Sequence, residues 1–95
     1  MAFTWSITIV KHSGAPGFTY VPKVLKDVAV GDEIIWTNET DQPHWPGAPG
    51  NTKYFMANQI APHSPSTTFI PSAVGTLTYK DSLTSGDPGG SIVVS

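Results

Sequence analysis

The sequence predicts an all-β domain, a β-sandwich or small barrel, on three observations. Phe3, Trp5, Ile7 and Ile9 alternate with Thr4, Ser6, Thr8 and Val10, a period of two that lines one strand face with large apolar groups. Nine glycines and nine prolines make up about a fifth of the chain, where ordinary usage gives roughly 12%, so turns are frequent. No segment repeats its apolar residues at helical spacing, and short strands between turns close into layered β structure.

Taken in order, Phe3 to Val10 is the first strand, ended by Ser13-Gly14-Ala15-Pro16-Gly17. Phe18, Tyr20, Val21 and Pro22 read as an irregular edge segment, where a proline without an N–H is tolerated. Val24 to Val30 is a further strand, and the turn Gly31-Asp32 predicts a hairpin onto Glu33 to Asn38, rich in β-branched and aromatic residues. Thr40 to Pro65 holds five prolines and no sustained period, so it predicts a long loop, with Tyr54 to Ile60 as the one candidate for a short element inside it. Thr67 to Ile70 and Thr76 to Lys80 read as two strands, and Ser91 to Val94 closes the chain as a strand beside the one ending at Tyr79. The predicted core is Trp5, Ile7, Ile9, Val30, Ile34, Trp36, Phe69, Leu77, Tyr79 and Ile92. Ninety-five residues suit one domain, 1–95, without internal repeats.

Composition excludes several functions. All five basic residues are lysines against seven Asp and Glu, so there is no guanidinium fork for phosphates, and nucleic acid is not an expected partner. No apolar stretch is long enough for a membrane span. Met1 directly precedes a strand, which fits a cytoplasmic chain or an exported one whose signal is replaced by a start Met. The absence of cysteine removes disulfides, thiolate nucleophiles and thiolate metal ligands. No nucleophile motif, carboxylate pair or phosphate loop is visible, so the chain is not expected to be an enzyme. Asn38-Glu39-Thr40 matches the glycosylation acceptor pattern, meaningful only in a eukaryotic secretory setting.

The stretches Tyr20-Val21-Pro22, Val28 to Asn38 (VAVGDEIIWTN), Pro43-His44, Gly75-Thr76-Leu77-Thr78-Tyr79 and Gly90-Ser91-Ile92-Val93-Val94 resemble, in order and spacing, the cupredoxin (plastocyanin-like) family. The resemblance implies an antiparallel Greek-key β-sandwich and, by analogy, an exported or periplasmic setting. A blue-copper site needs two His, one Cys and usually a weak axial Met. Here Asp81 follows Tyr79-Lys80 where that family places its Cys, the downstream His and Met are missing, and His44 alone corresponds to a ligand. Pro43-His44-Trp45-Pro46 and Tyr79-Lys80-Asp81-Ser82-Leu83 also resemble a bacterial cupredoxin-like variant reading P-H-W-P and Y-H-D-H-L, with Lys80 and Ser82 where that variant has His.

Two readings of function follow. In the first, the domain has no blue-copper site but binds an exchangeable copper ion through His44 and His63, which the resemblance brings to one end, with an oxygen from Asp81 or a thioether from Met56. In the second, no cofactor is bound and the loop-rich end around Trp45, Tyr54 and Phe55 is a docking face for a protein partner. Each residue has a plainer role as well. His44 would then be a hydrogen-bonded loop residue, His63 an exposed turn residue, Met56 a gap-filler in the core and Asp81 a turn former. His12, where the first strand runs out, is expected on the surface away from the others.

Overall fold

A computed structural model of the chain describes residues 3–14, 16–47, 55–56, 58–84 and 86–95. Its strands are β1 (Thr4–Lys11), β2 (Phe18–Val21), β3 (Val24–Val28), β4 (Glu33–Asn38), β5 (Pro46–Gly47), β6 (Ser64–Pro65), β7 (Gly75–Asp81) and β8 (Gly90–Val94). They form two four-stranded sheets, ordered β2-β1-β4-β6 and β3-β8-β7-β5. The predicted sandwich is present, with one refinement: both sheets are mixed. β1 runs parallel to β4 from Thr4↔Glu33 to Ile9↔Asn38, and β3 runs parallel to β8, while the remaining pairs are antiparallel. No helix among the described residues is long and apolar enough to cross a membrane.

Alternation in β1 places Ile7 and Ile9 fully inside. They meet Ile34 and Trp36 of β4, Tyr79 of β7, and Ile92 and Val94 of β8 in a single hydrophobic cluster. Trp5, Phe69 and Leu77, also predicted as core, pack against it half-buried. The C-terminal strand lies antiparallel to β7, from Gly75↔Val94 to Tyr79↔Gly90, as the sequence suggests.

Three expectations are corrected. Gly31-Asp32 does not close a hairpin, because β3 and β4 belong to different sheets and the turn carries the chain across the sandwich. Asp32 fixes that crossing by accepting bonds from the N–H of Phe3 and Ala29 and from the indole of Trp5. Those bonds hold its carboxyl below the ordinary carboxylate range, the Trp5 indole contributing most. Val30 is 49% exposed and not core. The register of β3 shifts between Leu25 and Val28, with Asp27 in the left-handed region, so Leu25 and Val28 both point inward; the strand then ends at Val28, and Val30 stands in the exposed turn that leads to Asp32. Finally, Thr67 to Ile70 makes only a bridge between Phe69 and Ile34, and the partner of β4 further along is Ser64–Pro65. Of the candidate element Tyr54 to Ile60, Tyr54 and Ala57 lie outside the described residues, and Ile60 bridges to His44.

Candidate functional site

Strand β4 ends at Asn38, whose side chain is fully buried and turns the chain back on itself. Its amide Nδ2 donates to the carbonyls of Gln42, Ile60 and Ala61 at 2.7, 3.3 and 3.2 Å. Its Oδ1 lies 2.9 Å from the N–H of Thr40 and 2.8 Å from the Thr40 hydroxyl. This side-chain turn pins the first part of the long loop and brings Thr40 against the next residue of interest, His44.

His44 is 2% exposed, and both of its ring nitrogens have partners inside the protein. Nε2 is 2.8 Å from the Thr40 hydroxyl, and Nδ1 is 2.7 Å from Asp81 Oδ2. A backbone bridge to Ile60 holds its main chain, with N–H donors in both directions, and the Phe18 ring lies 4.2 Å from the imidazole between centroids. A carboxylate on one side and a hydroxyl, able to donate or accept, on the other give each ring nitrogen a hydrogen-bond partner inside the fold.

Asp81 ends β7 and gathers the pole. Besides His44, it accepts from the N–H of Trp45 at 2.8 Å, the N–H of Leu83 at 3.1 Å and the hydroxyl of Thr84 at 2.6 Å. Burial pushes its pKa up, but the bonds from His44, Thr84, Trp45 and Leu83 outweigh that effect and hold the carboxyl below its ordinary value. Its own N–H donates to Asp87, a second buried carboxylate that also accepts from the Tyr20 phenol at 2.8 Å. The result is a chain of bonds, Asn38, Thr40, His44, Asp81 and Thr84, tying the loop after β4 to the loop after β7.

Of the four residues expected to share a metal, the structure joins only His44 and Asp81. His63 is exposed and its Nε2 is 2.8 Å from Asp41, which also pairs with Lys11. Met56 is buried in the hydrophobic cluster, the plainer of its two roles. His12 is exposed as expected, yet it lines the same groove as Lys11, Phe18, Thr40, Asp41 and His44, a depression of about 370 Å³. Trp45 roofs the core, its indole donating to the Met56 carbonyl; Tyr54 of the proposed docking face lies outside the described residues. Asn38 and Thr40, which the sequence presents as the end of a strand and as a glycosylation pattern, prove to hold the His44 side of the site, and Asn two positions before Thr at a strand end is itself a turn signal.

This donor set does not fit the copper ion that the fold family implies. One imidazole with both nitrogens engaged and a carboxylate already accepting four bonds leave no lone pair aimed at a common point. Among the described residues no three His, Cys, Asp or Glu side chains are grouped to hold a metal.

No family model matches the chain, and no curated protein matches it in sequence. Solved structures do match in shape. A purple cupredoxin from Nitrosopumilus maritimus superposes with a TM-score of 0.74 at 22% identity, covering 95% of this chain and 98% of that one. Amicyanin from Paracoccus versutus gives a TM-score of 0.71 at 15% identity, covering 99% of this chain and 81% of that one. A mutant plastocyanin of fern gives 0.71 at 20% identity, covering 95% and 99%. The two sheets, the pole at His44 and these superpositions agree: the chain has the cupredoxin fold, in a form without cysteine.

Proposed function

We propose that the domain is a metal-free protein-interaction module, whose loop-rich pole around Trp45 is held in shape by the Asp81–His44–Thr40–Asn38 clasp. The observation that carries this reading is the double engagement of the His44 ring, at 2.8 Å by Thr40 and 2.7 Å by Asp81, in a buried setting. A copper ion bound there would break at least one of these bonds and leave a buried group unpaired, at a cost of about 1–3 kcal/mol before any gain from coordination. The competing reading, exchangeable copper on His44 and His63 with Asp81 or Met56, needs that cost to be met while His63 gives up its bond to Asp41 and Met56 leaves the hydrophobic cluster.

The reading is also of a binding domain and not an enzyme. Asp81, His44 and Thr40 stand in the order of an acid, base and hydroxyl nucleophile, which by spacing alone suggests acyl transfer. Thr40 is only 4% exposed, however, and its hydroxyl has Asn38 Oδ1 and the Gln42 carbonyl as competing acceptors at 2.8 and 3.0 Å. A hydroxyl so placed serves the turn and offers no attack path to a substrate.

Titration with Cu(I), Cu(II) and Zn(II) while following the imidazole signals tests the proposal. The His44 signals are expected to stay in place, and Cu(II) is expected to give no intense thiolate-to-copper absorption, since no thiolate exists. Stoichiometric copper binding that His44→Ala abolishes would establish the competing reading instead.

A further inference from the structure

The outer face of the second sheet carries a charge pattern unrelated to the pole. Tyr79 and Asp81 of β7 point into the sandwich, so Thr78 and Lys80 point out. Register places Thr78 opposite Ser91 of β8, and Ser91 opposite Val24 of β3, so these three share the outer face. Lys23 precedes β3, and Lys26 is exposed two residues beyond Val24.

Three of the five lysines therefore belong to this sheet face or its margin. Lys11 is on the other sheet, paired with Asp41, and Lys53 lies outside the described residues. Among the described residues, no ion pair involves Lys23, Lys26 or Lys80. The acids nearest in sequence are Asp27 at the β3 bulge and the inward-facing Asp81 and Asp87. In a chain of formal charge -2, this concentration of unpaired positive charge is not a by-product of a basic composition.

Between Lys23 and Lys80 runs a groove of about 440 Å³, lined by Val24, Thr78, Gly90 and Ser91. We propose that this groove and its flanking lysines are a docking surface for an acidic polypeptide segment. Ammonium groups on both walls match carboxylates spaced along an extended chain, the Thr78 and Ser91 hydroxyls can bond its backbone, and Val24 supplies a small apolar contact. The chain's formal charge of -2, with seven carboxylates, opposes the approach of a long nucleic-acid polyanion, so three lysines on one face suit a short acidic segment. The surface lies outside the pole clasp, so metal binding at His44 would leave this proposal standing.

The test uses the whole chain, labelled with nitrogen-15, and a hexaglutamate peptide. Amide shifts are expected at Lys23, Val24, Thr78, Lys80 and Ser91. Affinity should fall at least about fivefold when salt rises from about 0.02 to 0.2 M, as screening of exposed charges requires. The double variant Lys23→Glu with Lys80→Glu, both at exposed positions, should lose at least about tenfold in affinity while keeping the parent's amide dispersion, and Lys11→Glu should bind like the parent. Shifts confined to the His44 pole, an unaffected double variant, or tighter binding of heparin or duplex DNA than of the peptide at this face would each overturn the proposal.

Discussion

Replacing Asp81 by alanine removes the acceptor of four bonds at once, and its cost can be worked from the structure. The Leu83 N–H and Thr84 hydroxyl lie in the loop after β7, where Leu83 itself is 47% exposed, so both can turn to water. The His44 Nδ1 and the part-buried Trp45 N–H are less free to do so, because the His44 side chain is buried and its main chain is fixed by the bridge to Ile60. Two such groups left unpaired cost about 1–3 kcal/mol each. Partial entry of water keeps the total near 4 kcal/mol. Asp81→Asn keeps one oxygen for Trp45 and Leu83 but sets an NH₂ against the His44 and Thr84 donors, for a loss of about 2 kcal/mol. Urea unfolding followed by circular dichroism reads both. With a slope near 1.5 kcal/mol/M, the midpoint should fall by about 2.5 M for alanine and by roughly half that for asparagine. Chelator should change nothing in either. The sign of the pH dependence is fixed as well. A carboxyl whose pKa is lowered by folding contributes stability above its unfolded value of about 3.9, and that contribution is lost as pH falls through the folded value. Asp81→Ala should therefore flatten the acid limb of the stability curve below about pH 4. An alanine variant within about 0.3 M of the parent midpoint would refute the clasp as the element that holds the pole.

The remaining predictions concern positions that the fold reads differently from their local sequence. Expression in a eukaryotic secretory host should give no glycan mass at Asn38, whose amide is buried on three carbonyls; a glycosylated, folded product seen by mass spectrometry would contradict the site geometry. Val30→Ser should change stability by less than about 0.5 kcal/mol, whereas Val28→Ala should cost about 1–3 kcal/mol, the difference measured by the same unfolding assay. Burial raises the pKa of Tyr20 and Tyr79, helped in Tyr20 by its bond to Asp87, so in an absorbance titration both phenols should stay un-ionised until the protein unfolds. Their contribution to stability is full below the unfolded value of about 10 and is lost as pH rises beyond it, so alkaline unfolding should track the appearance of phenolate.

What could be read from the sequence was local. The alternation in β1, the EIIWTN run of β4 and the pairing of the last two strands were each legible because a half-buried strand writes its inside face directly into every second residue. The crossing at Gly31-Asp32 was not, since the same two residues serve a hairpin or a passage between sheets, and the decision rests on Asp32 reaching Phe3 and Trp5 nearly thirty residues earlier. The exposure of Val30 is not legible because the run Val24 to Val30 carries no mark of where its strand stops: β3 ends at Val28, and Val30 belongs to the turn. At the pole, the sequence named His44 and Asp81 and the resemblance placed them at one end, but their direct bond spans 37 positions. Residue type alone makes both of them ligands with open lone pairs and says nothing about the partners that engage them, Thr40 above all.

The chemistry at position 81 explains why the pole can keep its shape without copper. A metal ion at the end of a sandwich cross-links loops from different strands by drawing several lone pairs to one point. A carboxylate reverses the polarity of that arrangement, because it draws N–H and O–H donors instead. Asp81 takes His44 from one loop, Trp45 from the segment leading into β5, and Leu83 and Thr84 from its own loop, so it joins these parts of the chain by accepting their hydrogen bonds at its own lone pairs, where a cation would draw lone pairs from each of them. The exchange demands that the histidine present an N–H to the centre and find an acceptor's role on its far side, which Thr40 fulfils and Asn38 enforces by holding the Thr40 main chain. A single substitution of cysteine for Asp81 would thus not recreate a copper site. It would leave the Trp45 N–H without its acceptor and supply one thiol where a metal needs three or four donors, so Asp81→Cys is expected to lose stability like Asp81→Ala and to remain colourless with Cu(II).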